Sequence, residues 1–311
     1  MTSAVDTHSP DAPPRVAAVV VTYQPDAAVL SCVRALRGQV ARIFLVDNGS
    51  SQASRAHLDA AKSDVVELVT LPANLGVGAA HNVGIGRARG IGATHVLLMD
   101  QDSIAAPDMV ARLVAAERRL LARGEKLAAL GPVYFDRRLG KSWPFFRLTR
   151  FGMRGHGCAG GEEVRCDFLI SSGSLIRLPV FDFVGAVNEG YFLEHVDTDW
   201  SLRARFAGYS LFGVCDARMD HHLGDDSVGV PFTGRKVQLY RPYRAYYLFR
   251  NAVLLSRERH APGAWKLNEA KRLLLRFMFF ALLVPPRIER VKYMLLGLRH
   301  GLAGRSGPLS L

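Results

Sequence analysis

A chain of 311 residues with 49% hydrophobic and 22% charged side chains has the make-up of a folded, enzyme-sized globule, which excludes a disordered chain and a polytopic membrane protein. Its net charge of +12 is unevenly spread: residues 231–311 carry 16 Lys/Arg against 3 Asp/Glu, a balance of +13, and leave −1 for everything before them. The basic character therefore belongs to one end, as a contact surface for anionic lipid or nucleic acid, and the body is near neutral.

Residues 1–14 contain acids and prolines and no apolar stretch, so they predict a disordered lead-in without a secretory signal and a protein kept on the cytosolic side. Val16–Thr22 (VAAVVVT) is an unbroken apolar, β-branched run, the pattern of a strand buried on both faces of a parallel sheet. Similar runs at 42–46, 65–70 and 95–99 alternate with helix-like segments at 27–37, 54–62 and 78–89. Such alternation predicts right-handed βαβ units in an open, mostly parallel twisted sheet with flanking helices. Ligands of these sheets bind at the carboxyl ends of the strands. Each run ends there in polar turn chemistry: Thr22-Tyr23-Gln24-Pro25, Asp47-Asn48-Gly49-Ser50, Pro72-Ala73-Asn74-Leu75-Gly76 and Asp100-Gln101-Asp102-Ser103.

Farther on, 143–161 reads as a long Gly- and aromatic-rich loop over the site, 166–176 as a strand, and 199–206 as a helix. From Pro231 the chain is expected to be helical and basic. Cys32, Cys158, Cys166 and Cys215 show no C-x-x-C spacing, which predicts reduced thiols, no structural zinc and no disulfide framework.

Asp100 and Asp102 form a D-x-D at the end of a buried strand, where carboxylates need a cation or a hydrogen-bond network. Mg²⁺ or Mn²⁺ bound by such oxygens leaves room for a nucleotide diphosphate; the alternative is a pair of solvated loop acids or a helix cap. Asp47 can face a nucleoside or simply cap a turn. The NLGVGAAHNVGIG segment, with Asn74, Gly76 and Asn82, opens a helix at which backbone can approach phosphate or ribose, yet lacks the G-x-G-x-x-G of dinucleotide folds. In Glu194-His195-Val196-Asp197-Thr198-Asp199-Trp200, Asp197 is the candidate general base, although acids also favour helix amino termini for dipole reasons. His221 and His222 are candidates for a third metal ligand or for ordinary surface residues. Segments 272–284 and 288–298 are too short to span a bilayer and suit either a membrane interface or a helical contact, including one between copies of the chain.

Six blocks in order, VVVTYQP, VDNGS, LPANLGVGAAHNVGIG, LLMDQDS, YFLEHVDTDWSLRARFAGY and DARMDHHLGDDS, resemble the family 2 glycosyltransferases of the GT-A fold, and among them bacterial rhamnosyltransferases. The resemblance covers about residues 15–225 and implies a GT-A domain over 15–230 followed by a basic helical extension over 231–311. It implies that Thr22, Tyr23 and Asp47 bind the nucleoside and that Asn74, Gly76 and Asn82 hold the donor. Asp100 and Asp102 correspond to the metal and diphosphate motif, His221 to the histidine that joins the metal, Asp197 to the catalytic base, and Asp199 and Trp200 to its substrate-facing neighbours. Val196 replaces the glutamate usual before that base. For rhamnosyltransferases the likeness implies an inverting, metal-dependent enzyme using dTDP-L-rhamnose and a lipid-linked or polysaccharide acceptor, as in O-antigen synthesis on the inner face of the cytoplasmic membrane. Rival readings are a nucleic-acid-binding protein, a sugar-phosphate nucleotidyltransferase and a non-catalytic assembly subunit.

Overall fold

The computed structural model describes residues 14–136, 140–150, 152–158, 163–221, 226–229 and 236–309. The predicted lead-in up to residue 13, and His222, lie outside them. In the first half β1 (Val16–Thr22), α1 (Ala28–Leu36), β2 (Arg42–Asp47), α2 (Gln52–Ala61), β3 (Val66–Thr70), α3 (Val77–Gly90) and β4 (His95–Asp100) alternate as the periodicity predicts. β1 runs parallel to β2 and β4, and β2 parallel to β3. Ala17 and Val19 pack into one core cluster, while Val16, Ala18 and Val20 pack into the other. Both faces of β1 are thus covered by apolar side chains, which is why its sequence does not alternate.

The chain continues through β5 (Ile104–Ala105), α4 (Met109–Ala122), β6 (Leu127–Asp136), β7 (Lys141–Ser142), β8 (Phe145–Thr149), β9 (Gly152–His156), β10 (Glu163–Cys166), β11 (Leu175–Arg177), α5 (Val180–Val184), α6 (Val196–Phe206) and β12 (Ser210–Asp220). The main sheet has the order β10-β12-β6-β11-β4-β1-β2-β3, with β5 added to β12 and β7 to β6. It is parallel throughout the β4-β1-β2-β3 half, whereas β11 is antiparallel to both of its neighbours.

Beyond β12 lie the antiparallel pair β13 (Asp226–Gly229) and β14 (Lys236–Leu239), then α7 (Pro242–Ser256), α8 (Gly263–Leu283) and α9 (Arg287–Leu302). Strand β14 therefore precedes the first helix of this region, which begins at Pro242, whose fixed φ suits a first helical position; Pro231 lies outside the described residues. Ala245, Phe249, Phe280, Val284 and Met294 form a core among these helices. Leu255, Ala261 and Trp265 join the main core, so the extension is packed on the sheet domain.

Three expectations change. Residues 166–176 are not one strand: β10 ends at Cys166 and β11 starts at Leu175. Between them the chain turns through Gly173 at φ 83°, and Ser174 Oγ donates to the Ile170 carbonyl at 2.6 Å, local bonding that competes with a strand ladder. The expected loop at 143–161 is largely the β8–β9 hairpin, whose Phe145 is buried in the main core and which packs against α8; residues 151 and 159–162 are outside the described set. Finally, Cys158 and Cys215 form a disulfide, with Cα atoms 5.4 Å apart, while Cys32 and Cys166 are free and buried. The 57-residue separation carries no spacing signature; Cys215 sits where β12 shifts register against β6.

α7 and α9 touch through glycine. A Cβ on Gly297 would stand 2.4 Å from the Tyr246 carbonyl oxygen, and one on Gly301 would stand 2.8 Å from that of Arg250. Gly297→Ala should gain roughly 1 kcal/mol of helix propensity and lose about 1–3 kcal/mol to overpacking against backbone that cannot swing aside. Denaturant unfolding of the variant should therefore report a net loss of stability, with little change in slope.

Candidate functional site

Because β4, β1, β2 and β3 are parallel, their carboxyl ends form one rim. Hydrogen bonds stitch the four endings together: Tyr23 N–H donates to Gln101 Oε1 and Gln24 N–H to Ser50 Oγ, each at 2.9 Å, and Asn48 Nδ2 donates to Asn74 Oδ1 at 3.0 Å. Asp47 is fully buried, its oxygens accepting from Ser50 N–H and Arg55 Nε at 3.0 Å each. Thr22 is buried behind the rim and Tyr23 is 46% exposed on it. Gly76, at φ 92°, has no room for a side chain, since a Cβ would meet Phe192 backbone at 2.7 Å. Asn82 accepts from Val187 N–H and donates to the Val187 carbonyl and to Glu189, joining α3 to the 187–189 turn.

The D-x-D gains its third member through sheet pairing. β5 lies antiparallel to the end of β12, with Ile104 opposite Asp220, and so His221 stands beside Ser103. One ligand atom from each of Asp100, Asp102 and His221 fits within a mutual distance of 4.8 Å. His221 is 4% exposed, and its Nδ1 lies 2.7 Å from Ser103 Oγ. Ser103 Oγ lies 2.7 Å from Ser172 Oγ, which accepts from the Asp100 amide at 3.1 Å and donates to Met219 Sδ at 3.8 Å. With Ser172 donating to the sulfur, Ser103 donates to Ser172 and His221 Nδ1–H donates to Ser103. That polarity leaves the Nε2 lone pair facing Asp100 Oδ2, 3.9 Å away. Two carboxylates and an imidazole with a free lone pair fit Mg²⁺ or Mn²⁺, with coordination positions left for a ligand.

Asp197 opens α6 and lines a cleft with Tyr134, Phe146, Phe168 and Ser172, the serine that anchors Asp100. Burial pushes Asp100 up to about 6; Asp102 and Asp197 add to the shift, and His221 and Arg244 oppose it. The charges of Asp102 and Asp197 thus reach Asp100, while the cleft itself is lined by Asp197 and by Ser172, which bonds the Asp100 amide. Burial also raises Asp197, against the hydrogen bond from Thr198 N–H at 2.7 Å. Asp199 is different: Arg203 Nε at 2.9 Å and His260 Nε2 at 2.8 Å occupy its two oxygens. Trp200 donates to the Gly185 carbonyl and packs on Phe181, inside the core.

The segment before Asp197 is held by residues that the sequence reading did not single out. Phe192, Glu194 and His195 all have positive φ, at 63°, 52° and 62°, a conformation that non-glycine residues keep only when their surroundings enforce it. Fully buried Asn251 donates to the carbonyls of Tyr191, Leu193 and Glu194. Arg250 donates to those of Gly190 and Tyr191. Arg244 pairs with Glu194 at 2.6 Å, and His195 Nε2 lies 3.3 Å from Glu269. An Arg-Asn pair inside YYLFRNAVLL was the available signal: two strongly polar residues on an apolar helix need buried partners.

Burial alone would raise Glu269; the hydrogen bond from His195, with the charges of His195, Arg272 and Arg276, outweighs it and holds the carboxyl at about 2, below its usual 4.5. A lowered folded value means stability that is complete above the ordinary range and is lost as pH falls toward 2. Glu269→Gln should flatten the acid limb of the thermal midpoint across that interval; an unchanged limb would show that the pair contributes nothing to the stability of the 192–195 segment.

The sequence profile described as Glycosyl transferase family 2 matches residues 17–151. The dTDP-rhamnosyl transferase RfbF of Shigella flexneri is 30% identical over 293 residues, covering 93% of this chain and 96% of that protein. The succinoglycan biosynthesis protein ExoO of Rhizobium meliloti is 31% identical over 107 residues, 33% of this chain and 30% of its own length. Among solved structures, GalNAc-T7 with UDP, GalNAc and Mn²⁺ superposes with a TM-score of 0.60 at 13% identity, and S. aureus TarS with 0.53 at 13%. Each covers 93% of this chain, which spans 56% and 53% of those longer chains, and they establish a shared GT-A-type fold alone. On the near full-length match to RfbF and the family profile over residues 17–151, this chain belongs to glycosyl transferase family 2.

Proposed function

We propose that the chain transfers L-rhamnose from dTDP-L-rhamnose, with inversion, to a hydroxyl of a lipid-linked or polysaccharide acceptor in surface-glycan synthesis of the O-antigen type. The donor rests on the relative named as a dTDP-rhamnosyl transferase. The mechanism rests chiefly on one observation: Asp197 is close enough to Asp100 to perturb it, in a cleft bordered by the serine that anchors the D-x-D.

The acceptor hydroxyl loses its proton to Asp197 as its oxygen attacks the anomeric carbon and the bond to the donor diphosphate breaks. Burial raises the Asp197 pKa, which brings a carboxylate nearer to the strength useful in a general base. Asp100, Asp102 and His221 would hold a divalent cation that, when bound, stabilises the negative charge developing on the departing diphosphate. Thr22, Tyr23, Asp47, Asn74 and Gly76 shape the nucleoside end. Asn82, Asp199 and Trp200, with their polar atoms engaged by protein, hold the elements that carry the site.

No helix among the described residues is long and apolar enough to cross a membrane. α8 and the start of α9 nevertheless expose Leu274, Leu275, Met278, Leu282 and Ile288, each at least 50% accessible, beside Lys271, Arg287 and Lys292. Apolar residues flanked by cations suit the interface of an anionic bilayer, where a lipid-linked acceptor would be met.

The test is release of dTDP from dTDP-L-rhamnose by purified protein given a rhamnosyl acceptor. Asp197→Asn should lower kcat by about 10²- to 10⁴-fold, the usual contribution of a general base. Asp102→Ala and chelation should each abolish turnover, with Mn²⁺ or Mg²⁺ restoring the chelated enzyme. Turnover that ignores chelator sinks the metal role, and wild-type rates in Asp197→Asn sink the base.

A further inference from the structure

α8 sets an unusual charge balance against the base loop. Glu269 is 3% exposed, and both of its oxygens are occupied, Oε1 by His195 at 3.3 Å and Oε2 by Arg272 at 3.0 Å. Glu194 accepts from both Nε and Nη2 of Arg244 through one oxygen, at 2.8 and 2.6 Å. One helical turn beyond Arg272, Arg276 brings a third guanidinium to these two carboxylates. Its Nη1 is buried and has no hydrogen-bond partner. Burial and the like charge of Arg272 depress the Arg276 pKa, while Glu269, Glu194 and Tyr240 act in the opposite direction as near neighbours. Among the described residues, then, the hydrogen bonds of these two carboxylates go to Arg244, Arg272 and His195, and the buried Nη1 of Arg276 is left without an acceptor.

A buried guanidinium N–H without an acceptor is costly, and an excess cation in a partly desolvated setting costs more. Such an arrangement persists where an anion supplies the missing acceptor. The planar fork of arginine matches the oxygens of phosphate in two-point contacts. Position agrees with that chemistry. Arg276 follows Glu269 and Arg272 along one face of α8, its charge and that of Arg244 both act on Glu194, and Arg244 also acts on Asp100. Arg244 is steadied there by the Tyr240 ring, whose centroid is 4.1 Å from its guanidinium carbon.

We propose that Arg276, with Arg244 beside it, forms an anion site that takes a phosphate or diphosphate group between α8 and the base loop. Two molecules could bring that group: the donor, through its diphosphate, or an acceptor joined to lipid through phosphate. Only the identity of the carrier rests on the transferase reading; the site itself stands on the unmatched arginine.

The probe is inorganic pyrophosphate, titrated calorimetrically into the full chain in excess chelator so that no metal bridges it to the D-x-D. Wild type should bind, Arg276→Met at least tenfold more weakly, and Arg276→Lys in between, because lysine keeps the charge and loses the fork. Asp102→Ala should bind as wild type does. Arg276→Met should also unfold at the same temperature as wild type or higher, since it removes an unmatched buried charge; a purely structural arginine would give the opposite shift. Absence of pyrophosphate binding to wild type, or equal binding by wild type and folded Arg276→Met, overturns the proposal whether or not the enzyme transfers rhamnose. Should Arg276→Met fail to fold, loss of binding in Asp102→Ala with retention in Arg276→Lys equally overturns it. Where the site holds, complete displacement of pyrophosphate by dTDP assigns it to the donor, and displacement by a short prenyl phosphate but not by dTDP assigns it to the acceptor.

Discussion

Burial of acidic side chains near one another is the constraint on which the candidate site depends: burial pushes Asp100 up to about 6, and the charges of Asp102 and Asp197 add to the shift. Left alone, like charges at close range in a partly desolvated cleft force protonation or separation. The fold brings partners from two distant parts of the chain: the imidazole of His221, carried in by the β5–β12 pairing, and the charge of Arg244, carried in by α7. Neither belongs to the parallel half of the sheet that bears the D-x-D. A GT-A-type rim by itself would thus present its acids without these partners, which the added strand and helix supply.

The same helices carry a second burden. Three left-handed residues within four positions store backbone strain immediately before Asp197. The carbonyls that this path exposes are collected by Asn251 and Arg250, two neighbours on α7. α7 is in turn positioned by α9 at a contact so close that only glycine fits. Helix packing remote from the cleft therefore reaches the geometry of Asp197 through a short chain of rigid contacts, and the C-terminal region is a structural part of the candidate site.

How much of this was legible in the sequence follows from how local each determinant is. The four parallel strands, their helices and the acidic rim were readable because burial on both faces writes itself as unbroken apolar runs, and β1 matches its predicted bounds. The D-x-D was readable for the same reason, since it follows such a run. The turn between β10 and β11 was misread as strand because LISSGSLI is apolar enough to resemble one; its serines bond locally, and Ser172 emerges as the anchor of Asp100. The Cys158–Cys215 bond could not be read, because a 57-residue separation encodes no proximity. Nor could the clamp on the base loop, since Asn251 and Leu193 are 58 residues apart. Asp197 and Asp199 look alike in local composition; Arg203, one turn on in α6, and His260, 61 residues away, engage Asp199 alone.

The basic tail shows how a charge count misleads when side-chain fate is unknown. Its +13 balance suggested one uniform patch, yet several of the cations point inward. Arg250 is fully buried and donates to carbonyls on the base loop and to Gly307. Arg290, 6% exposed, donates to the carbonyls of Pro285 and Tyr240. Arginine suits this work because its several N–H groups reach more than one carbonyl and its charge survives burial. What remains on the surface is a smaller basic set interleaved with exposed leucines on α8 and α9. That mixture argues for a lipid interface over nucleic acid, since a phosphate-backbone surface is polar and densely cationic. The inward arginines contribute to the site in the form of geometry, fixing the loop from which Asp197 extends.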